Sequence, residues 1–179
     1  MAKKIMFNDR YGLTQAVLDG RKTMTRRLVH DKTPCGCWSE TVKYSRYKVG
    51  EVVAIAQSYE SIYNEKGLET MDMLLSGLKN HRGWRNKLFV AADKMLHHIR
   101  ITDVKVERLN DITPDDCLKE GISFIDKIKA YYFDRSDRDQ GFYYYTAKHA
   151  FAALIDKVSG KGTWESNPWV FAYEFELVD

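Results

Sequence analysis

The apolar positions along this chain change period several times. Leu13, Ala16 and Val17 recur at helical spacing, and Gly20 follows where a left-handed residue ends a helix, which predicts a helix over residues 13–19. Asn8 or Asp9 is placed to cap its start. The opening Lys4-Ile5-Met6-Phe7 reads as a short strand, and the β-branched and small residues 51–56 read as a buried one. Leu68, Met71, Leu74, Leu75 and Leu78 form one helical stripe. Residues 95–109 hold two strand-like pieces, in which Val104 and Val106 alternate with Asp103, Lys105 and Glu107. Thr113-Pro114-Asp115-Asp116 is a helix start, with a capping threonine, proline in the first turn and acids at the positive end of the dipole. Gly121 closes that helix after residue 120. A longer helix over 147–158 turns Phe151, Leu154, Ile155 and Val158 inward. Trp169, Phe171, Tyr173, Phe175 and Leu177 share one face of a final strand, which fixes its register.

The polar interruptions set the organisation. Residues 29–47 have no period and are broken by Pro34, Gly36 and Ser39. In the segment 123–146, Tyr131-Tyr132-Phe133 and Phe142-Tyr143-Tyr144-Tyr145 flank a charged turn and predict an aromatic hairpin. No repeat or linker divides the chain. The expectation is one domain over residues 1–179, mainly β within the α+β class, with insertions near 29–47, 60–87 and 123–146.

Composition narrows the class. At 179 residues, 44% apolar and three prolines, the chain can bury a core and is not disordered. A net charge of +3 is mild, so a nucleic-acid surface has to be local. No apolar run spans a membrane and no signal-peptide region follows the basic start, which predicts a cytoplasmic protein without membrane partners. Three cysteines at irregular spacing suit reduced thiols. Cys35 and Cys37, with His30 nearby, lack the second ligand pair of a zinc site, so neither metal nor cofactor is expected. His97 and His98 are adjacent and face opposite sides of a strand.

Charge clusters carry the candidate chemistry. Gly20-Arg21-Lys22-Thr23-Met24-Thr25-Arg26-Arg27 crowds cations that repel one another, with hydroxyls between them. Such a run is either a solvated basic turn or an anion site. A second candidate is the segment around Arg82, Trp84 and Arg85, where arginines suit a phosphate backbone and an indole suits a base, although a tucked-in Trp84 explains it equally.

Gly20-x-Lys22-x-x-x-x-Arg27 resembles the G-x-K-x-x-x-x-R signature of the ASCH family, a branch of the PUA-like β-barrels. Lys48-Val49-Gly50-Glu51-Val52-Val53, the stretch from Arg100 through Pro114 to Glu120-Gly121, and Trp164 through Phe175 resemble further family segments in the same order. The length and insertions are similar to the longer phage and prophage members. The resemblance implies a PUA-like, mostly antiparallel mixed β-barrel with short flanking helices, binding RNA or a modified nucleoside in a basic cleft through Arg21, Arg26 and Arg27. Some small ASCH proteins are amidohydrolases of N4-acetylcytidine, and their lysine, threonine and glutamate match Lys22, Thr25 and Glu120. By that alternative, Lys22, its pKa lowered by crowding cations so that it can accept a proton, activates Thr25, Glu120 protonates the leaving amine, and Arg27 holds the nucleoside. A weaker alternative is a protein-interaction module.

Overall fold

The computed structural model describes residues 2–30, 33, 38–67, 77–133, 139 and 142–178. Along the chain the elements are β1 (Lys4–Ile5), α1 (Leu13–Leu18), β2 (Met24–Leu28), α2 (Trp38–Val42), β3 (Val52–Ile55), α3 (Tyr59–Glu65), β4 (His98–Arg108), α4 (Pro114–Lys119), β5 (Ser123–Ile125), β6 (Ala130–Tyr132), α5 (Ala147–Ser159), α6 (Thr163–Ser166) and β7 (Trp169–Leu177). The class is mixed α+β. Five strands hydrogen-bond in the order β1-β3-β4-β7-β2, and β5 pairs with β6. Only β1 and β3 are parallel, with Ile5 opposite Ile55. The bonds from Ile55 N to His97 O and from Ile101 N to Glu51 O make β3 and β4 antiparallel. β2 and β7 are antiparallel from Met24 opposite Glu174 to Leu28 opposite Val170. This is the mainly antiparallel arrangement expected, and among the described residues no pairing joins β1 to β2 to close a ring.

The chain forms two compact units. The smaller gathers the residues up to Phe7 with Val52–Ile99. Its core is Ala54, Ala56, Ile62, Val90 and Met95, with Tyr59, Ala92 and Leu96 packed against it. Ser58 caps α3 by accepting from the Ser61 amide at 3.1 Å. Residues 68–76 of the expected leucine and methionine stripe lie outside the described residues, and Leu78 opens a single 3-10 turn to Asn80.

The larger unit gathers Asn8–Glu51 and Arg100–Leu177. α1 begins after Gly12, whose left-handed φ of 65° starts the helix without a side-chain cap, so neither Asn8 nor Asp9 fills that place. Gly20 is left-handed as expected, at φ +72°. The Thr113 hydroxyl accepts from the Asp116 amide at 3.1 Å and caps α4 as its sequence predicts. On α5, Ala147, Ala150, Phe151 and Leu154 are buried, whereas Val158 is 38% exposed, because the last turn runs past what the helix packs on. β7 has partners on both edges and buries both faces: Val170 and Ala172 are as enclosed as Phe171 and Tyr173, and Leu177 emerges. Such a two-sided strand cannot be recognised from alternation alone.

Three further expectations change. Residues 29–47 are not wholly irregular, since α2 lies within them. The two strand-like pieces of 95–109 merge into the single eleven-residue β4. The aromatic hairpin is built differently: β6 pairs with β5 through a turn that puts Lys129 at φ 51°, and the second aromatic segment joins only at the Tyr131–Tyr144 bridge.

Candidate functional site

The cationic stretch after α1 belongs to the larger unit, and its backbone fixes where each charge goes. The Lys22 amide donates to Ala16 O at 2.8 Å and the Thr23 amide to Lys119 O at 2.9 Å, which ties the end of α1 to the end of α4. Lys22 therefore meets Glu120, the C-cap of α4. Its ammonium donates to the Glu120 carboxylate at 2.6 Å, to Glu120 O at 2.7 Å and to Met24 O at 2.8 Å. These three acceptors satisfy the three ammonium protons. The two side chains are 2% and 6% exposed, so this is a buried ion pair. Burial pushes the Lys22 ammonium below its ordinary range, Glu120 opposes that shift, and Arg27 and Arg26 add to it.

Arg26 follows on β2 and points to the same acids. Its guanidinium donates to Glu107 from Nε at 2.8 Å, to Glu120 at 3.2 Å and to Asp116 at 3.1 Å. Burial alone would push it down, but Glu120, Glu107 and Asp116 together hold it above its ordinary value. Its side chain is 1% exposed. The expected role of Arg26 in an open phosphate-binding cluster is corrected on this geometry: the guanidinium is committed to carboxylates. Arg21 is exposed and pairs with Asp19 at 3.1 Å.

Thr25 and Arg27 project from the other face of β2, because strand side chains alternate. Thr25 lies opposite Tyr173 and Arg27 opposite Phe171 in the β7 register. Thr25 is buried, as are Tyr47 and Tyr173, whose rings meet edge to face at 5.3 Å. The Tyr173 hydroxyl accepts from the Arg46 amide at 3.1 Å. Burial pushes the Arg27 guanidinium down, with Tyr47, Glu120 and Tyr173 opposing. The fold thus joins Lys22 to Glu120 by hydrogen bonds and sets Thr25 on the face that carries Arg27.

The sequence reading missed Glu107 and Asp116. Asp116 stands four residues before Glu120 on the same helix face, a signal the spacing did carry. Glu107 is one polar position of an alternating strand and carried none.

The smaller unit holds the second candidate. A groove of about 670 Å³ is lined by Lys79, His81, Arg82, Trp84 and Arg85, with Glu60 and Asn64 of α3. The amides of Tyr59 and Glu60 donate to Gly83 O and Trp84 O at 3.1 and 3.0 Å, which pins this loop to the first turn of α3. A Cβ at Gly83 would come within 3.0 Å of Val90, His81 and Tyr59 side chains, so the close approach needs glycine. Arg82 lies over the Phe89 ring at 4.1 Å. Arg85 is 82% exposed and only loosely paired, 3.6 Å from Glu60. Trp84 is half-buried beside Tyr63, with ring centroids 6.0 Å apart. The structure brings Arg82, Trp84 and Arg85 together as the sequence expects.

Cys35 and Cys37 lie outside the described residues. Cys117 is fully buried, and burial pushes its thiol up to about 12. No helix among the described residues is long and apolar enough to cross a membrane.

Among solved structures, the chain is similar to the ASCH domain from Lactobacillus crispatus JV V101, with a TM-score of 0.43 at 13% identity over 98% of this chain and 77% of that one. It is also similar to a protein from Enterococcus faecalis V583 described under the family designation DUF984, with a TM-score of 0.40 at 15% identity over 93% of this chain and 67% of that one. No protein-family model matches the chain, and no curated protein matches its sequence.

Proposed function

We propose that the chain binds single-stranded RNA, with the groove of the smaller unit as its contact surface. The observation that carries this reading is the joint presence of Lys79, Arg82, Arg85 and Trp84 along one groove. Cations that track a backbone beside an indole on which a base stacks are what a flexible strand requires. Glu60 is the one carboxylate in the lining, so the groove carries a net positive charge. Glu60 holds Arg85 loosely enough for a phosphate to replace that contact. A fluorescence-anisotropy titration with a short labelled RNA tests the reading. Trp84→Ala is expected to weaken binding at least about fivefold, in line with stacking worth roughly 1–3 kcal/mol per base. Unchanged affinity in that variant and in Arg82→Ala/Arg85→Ala would reject the groove.

A second reading is favoured by the 2.6 Å Lys22–Glu120 contact. A proton moved across it from Lys22 to Glu120 turns an ion pair into a neutral amine and a carboxylic acid. Those are the base and the acid that deacylation of an N4-acylated cytidine needs. This reading requires Lys22 to leave its bonds to Glu120 and Met24 O and turn to the face of β2 that carries Thr25; Thr25 Oγ would then attack the acyl carbonyl and give its proton to Lys22, Glu120 would protonate the departing amine, and water would release the acid from the acyl-threonine. Arg27 would hold the nucleoside from the same face of β2 as Thr25. Incubation with N4-acetylcytidine should then yield acetate and cytidine, and Thr25→Ala should abolish it. An absence of acetate release from the folded wild-type protein removes this reading and leaves RNA binding standing.

A further inference from the structure

The larger unit contains a cavity of about 370 Å³ that neither reading uses. Arg10 and Tyr11 line it from the turn before α1, Arg21 from the segment after α1, Ser123 from β5, and Tyr132 and Phe133 from the end of β6. Its volume lies at the lower end of the range for small-molecule sites and suits one compact ligand.

The walls divide into two kinds. One is aromatic and held in place. Tyr11 and Phe133 meet edge to face at 5.9 Å, Tyr144 stacks on Phe133 at 5.7 Å, and the Lys157 ammonium sits 4.9 Å from the Phe133 centroid and 5.8 Å from that of Tyr11. Fixed rings offer a planar heterocycle a surface without further ordering cost. The other wall is cationic. Arg21 is bound to the single oxygen Asp19 Oδ2 through Nε and one terminal nitrogen, at 3.4 and 3.1 Å, which leaves its other terminal nitrogen to donate. Arg10 rests over the Tyr11 ring at 5.6 Å. Asp9 is the one acid among the lining residues, and its carboxylate accepts from the Thr14 hydroxyl at 2.5 Å; Asp19, which pairs with Arg21, lies outside the lining.

We propose that this cavity is a mononucleotide site, with the base against Tyr11, Tyr132 and Phe133, the phosphate on Arg10 and Arg21, and Ser123 toward the sugar. Bidentate guanidinium contacts select phosphate, and the rings select a planar base. The floor adds a constraint. Gly121, at φ +102°, lines the cavity, and a Cβ there would stand 3.6 Å from Lys22 Cδ and 3.3 Å from Leu13 Cδ2. The inference is independent of the RNA groove.

Isothermal titration with cytidine 5′-monophosphate and adenosine 5′-monophosphate tests it, with cytidine and inorganic phosphate as separate arms. Both nucleotides are expected to bind at least about tenfold more tightly than either fragment. Arg10→Ala/Arg21→Ala should lose at least tenfold in nucleotide affinity. In the unmodified protein, nucleotide should also shift the amide resonances of Tyr11, Ser123 and Tyr132, a readout that does not depend on any variant folding. Binding that is absent at millimolar nucleotide, that survives the Arg10 and Arg21 substitutions, or that shifts other amides instead overturns the proposal.

Discussion

Replacing Glu120 with glutamine tests whether the buried charges are balanced as described. Among the described residues, the Lys22 ammonium has an ion pair with Glu120, whereas Arg26 has three, with Glu107, Asp116 and Glu120. Glu120→Gln keeps the shape and leaves Lys22, 2% exposed, with carbonyl partners and two neighbouring cations. Breaking a buried ion pair by removing one partner costs about 3–5 kcal/mol, a large part of the roughly 5–15 kcal/mol that holds a domain folded. With a urea slope of about 2 kcal/mol per M, the unfolding midpoint should fall by roughly 1.5–2.5 M at unchanged slope. Adding Lys22→Met removes the stranded charge, so the double variant should recover most of the loss. The deficit should also depend on pH. Burial and the adjoining arginines hold Lys22 below its ordinary range, so between its lowered pKa and about 10.5 the unfolded chain binds more protons than the folded one. Losing Glu120, which opposes that shift, lowers the Lys22 pKa further, so stability of Glu120→Gln should rise relative to wild type as pH climbs from 7 toward 10. A midpoint shift below about 0.5 M, or a double variant as unstable as the sum of its singles, would refute the balance of charges.

Two further outcomes follow from local geometry. Thr113→Ala removes the cap of α4 and should cost about 1 kcal/mol in the same urea assay, with Thr113→Ser close to wild type. Cys117, buried and with its thiol pushed up to about 12, should resist iodoacetamide at pH 8 in the native protein and react once urea unfolds it, read by peptide mass spectrometry.

The parts of this fold that the sequence makes legible are those set by local chemistry. Thr113-Pro114-Asp115-Asp116 encodes its own cap and start, and Gly20 its own left-handed exit, so the start of α4 and the end of α1 could be placed without tertiary information. Residues whose fate depends on a distant partner were not legible. Lys22 and Glu120 are 98 positions apart, and Arg26 and Glu107 are 81 apart, so a run of cations read locally looked open while half of it is buried against acids. The same reason explains the hairpin: the tyrosines predicted the participants, but the register of β5 on β6 depends on a turn around Lys129 with no glycine to announce it. That Arg82, Trp84 and Arg85 lie together was legible because they are neighbours in sequence, around the close-packed Gly83.

The central claim, that the groove of the smaller unit is a nucleic-acid contact, is tested most directly by the salt dependence of RNA affinity. Each phosphate neutralised on a single strand contributes a slope of about −0.7 in log K against log salt. Three cations of the groove, Lys79, Arg82 and Arg85, give an expected slope near about −2. Arg82→Ala/Arg85→Ala should weaken binding to all sequences alike and flatten that slope by about 1.4. A slope that stays the same in the double variant would contradict the claim.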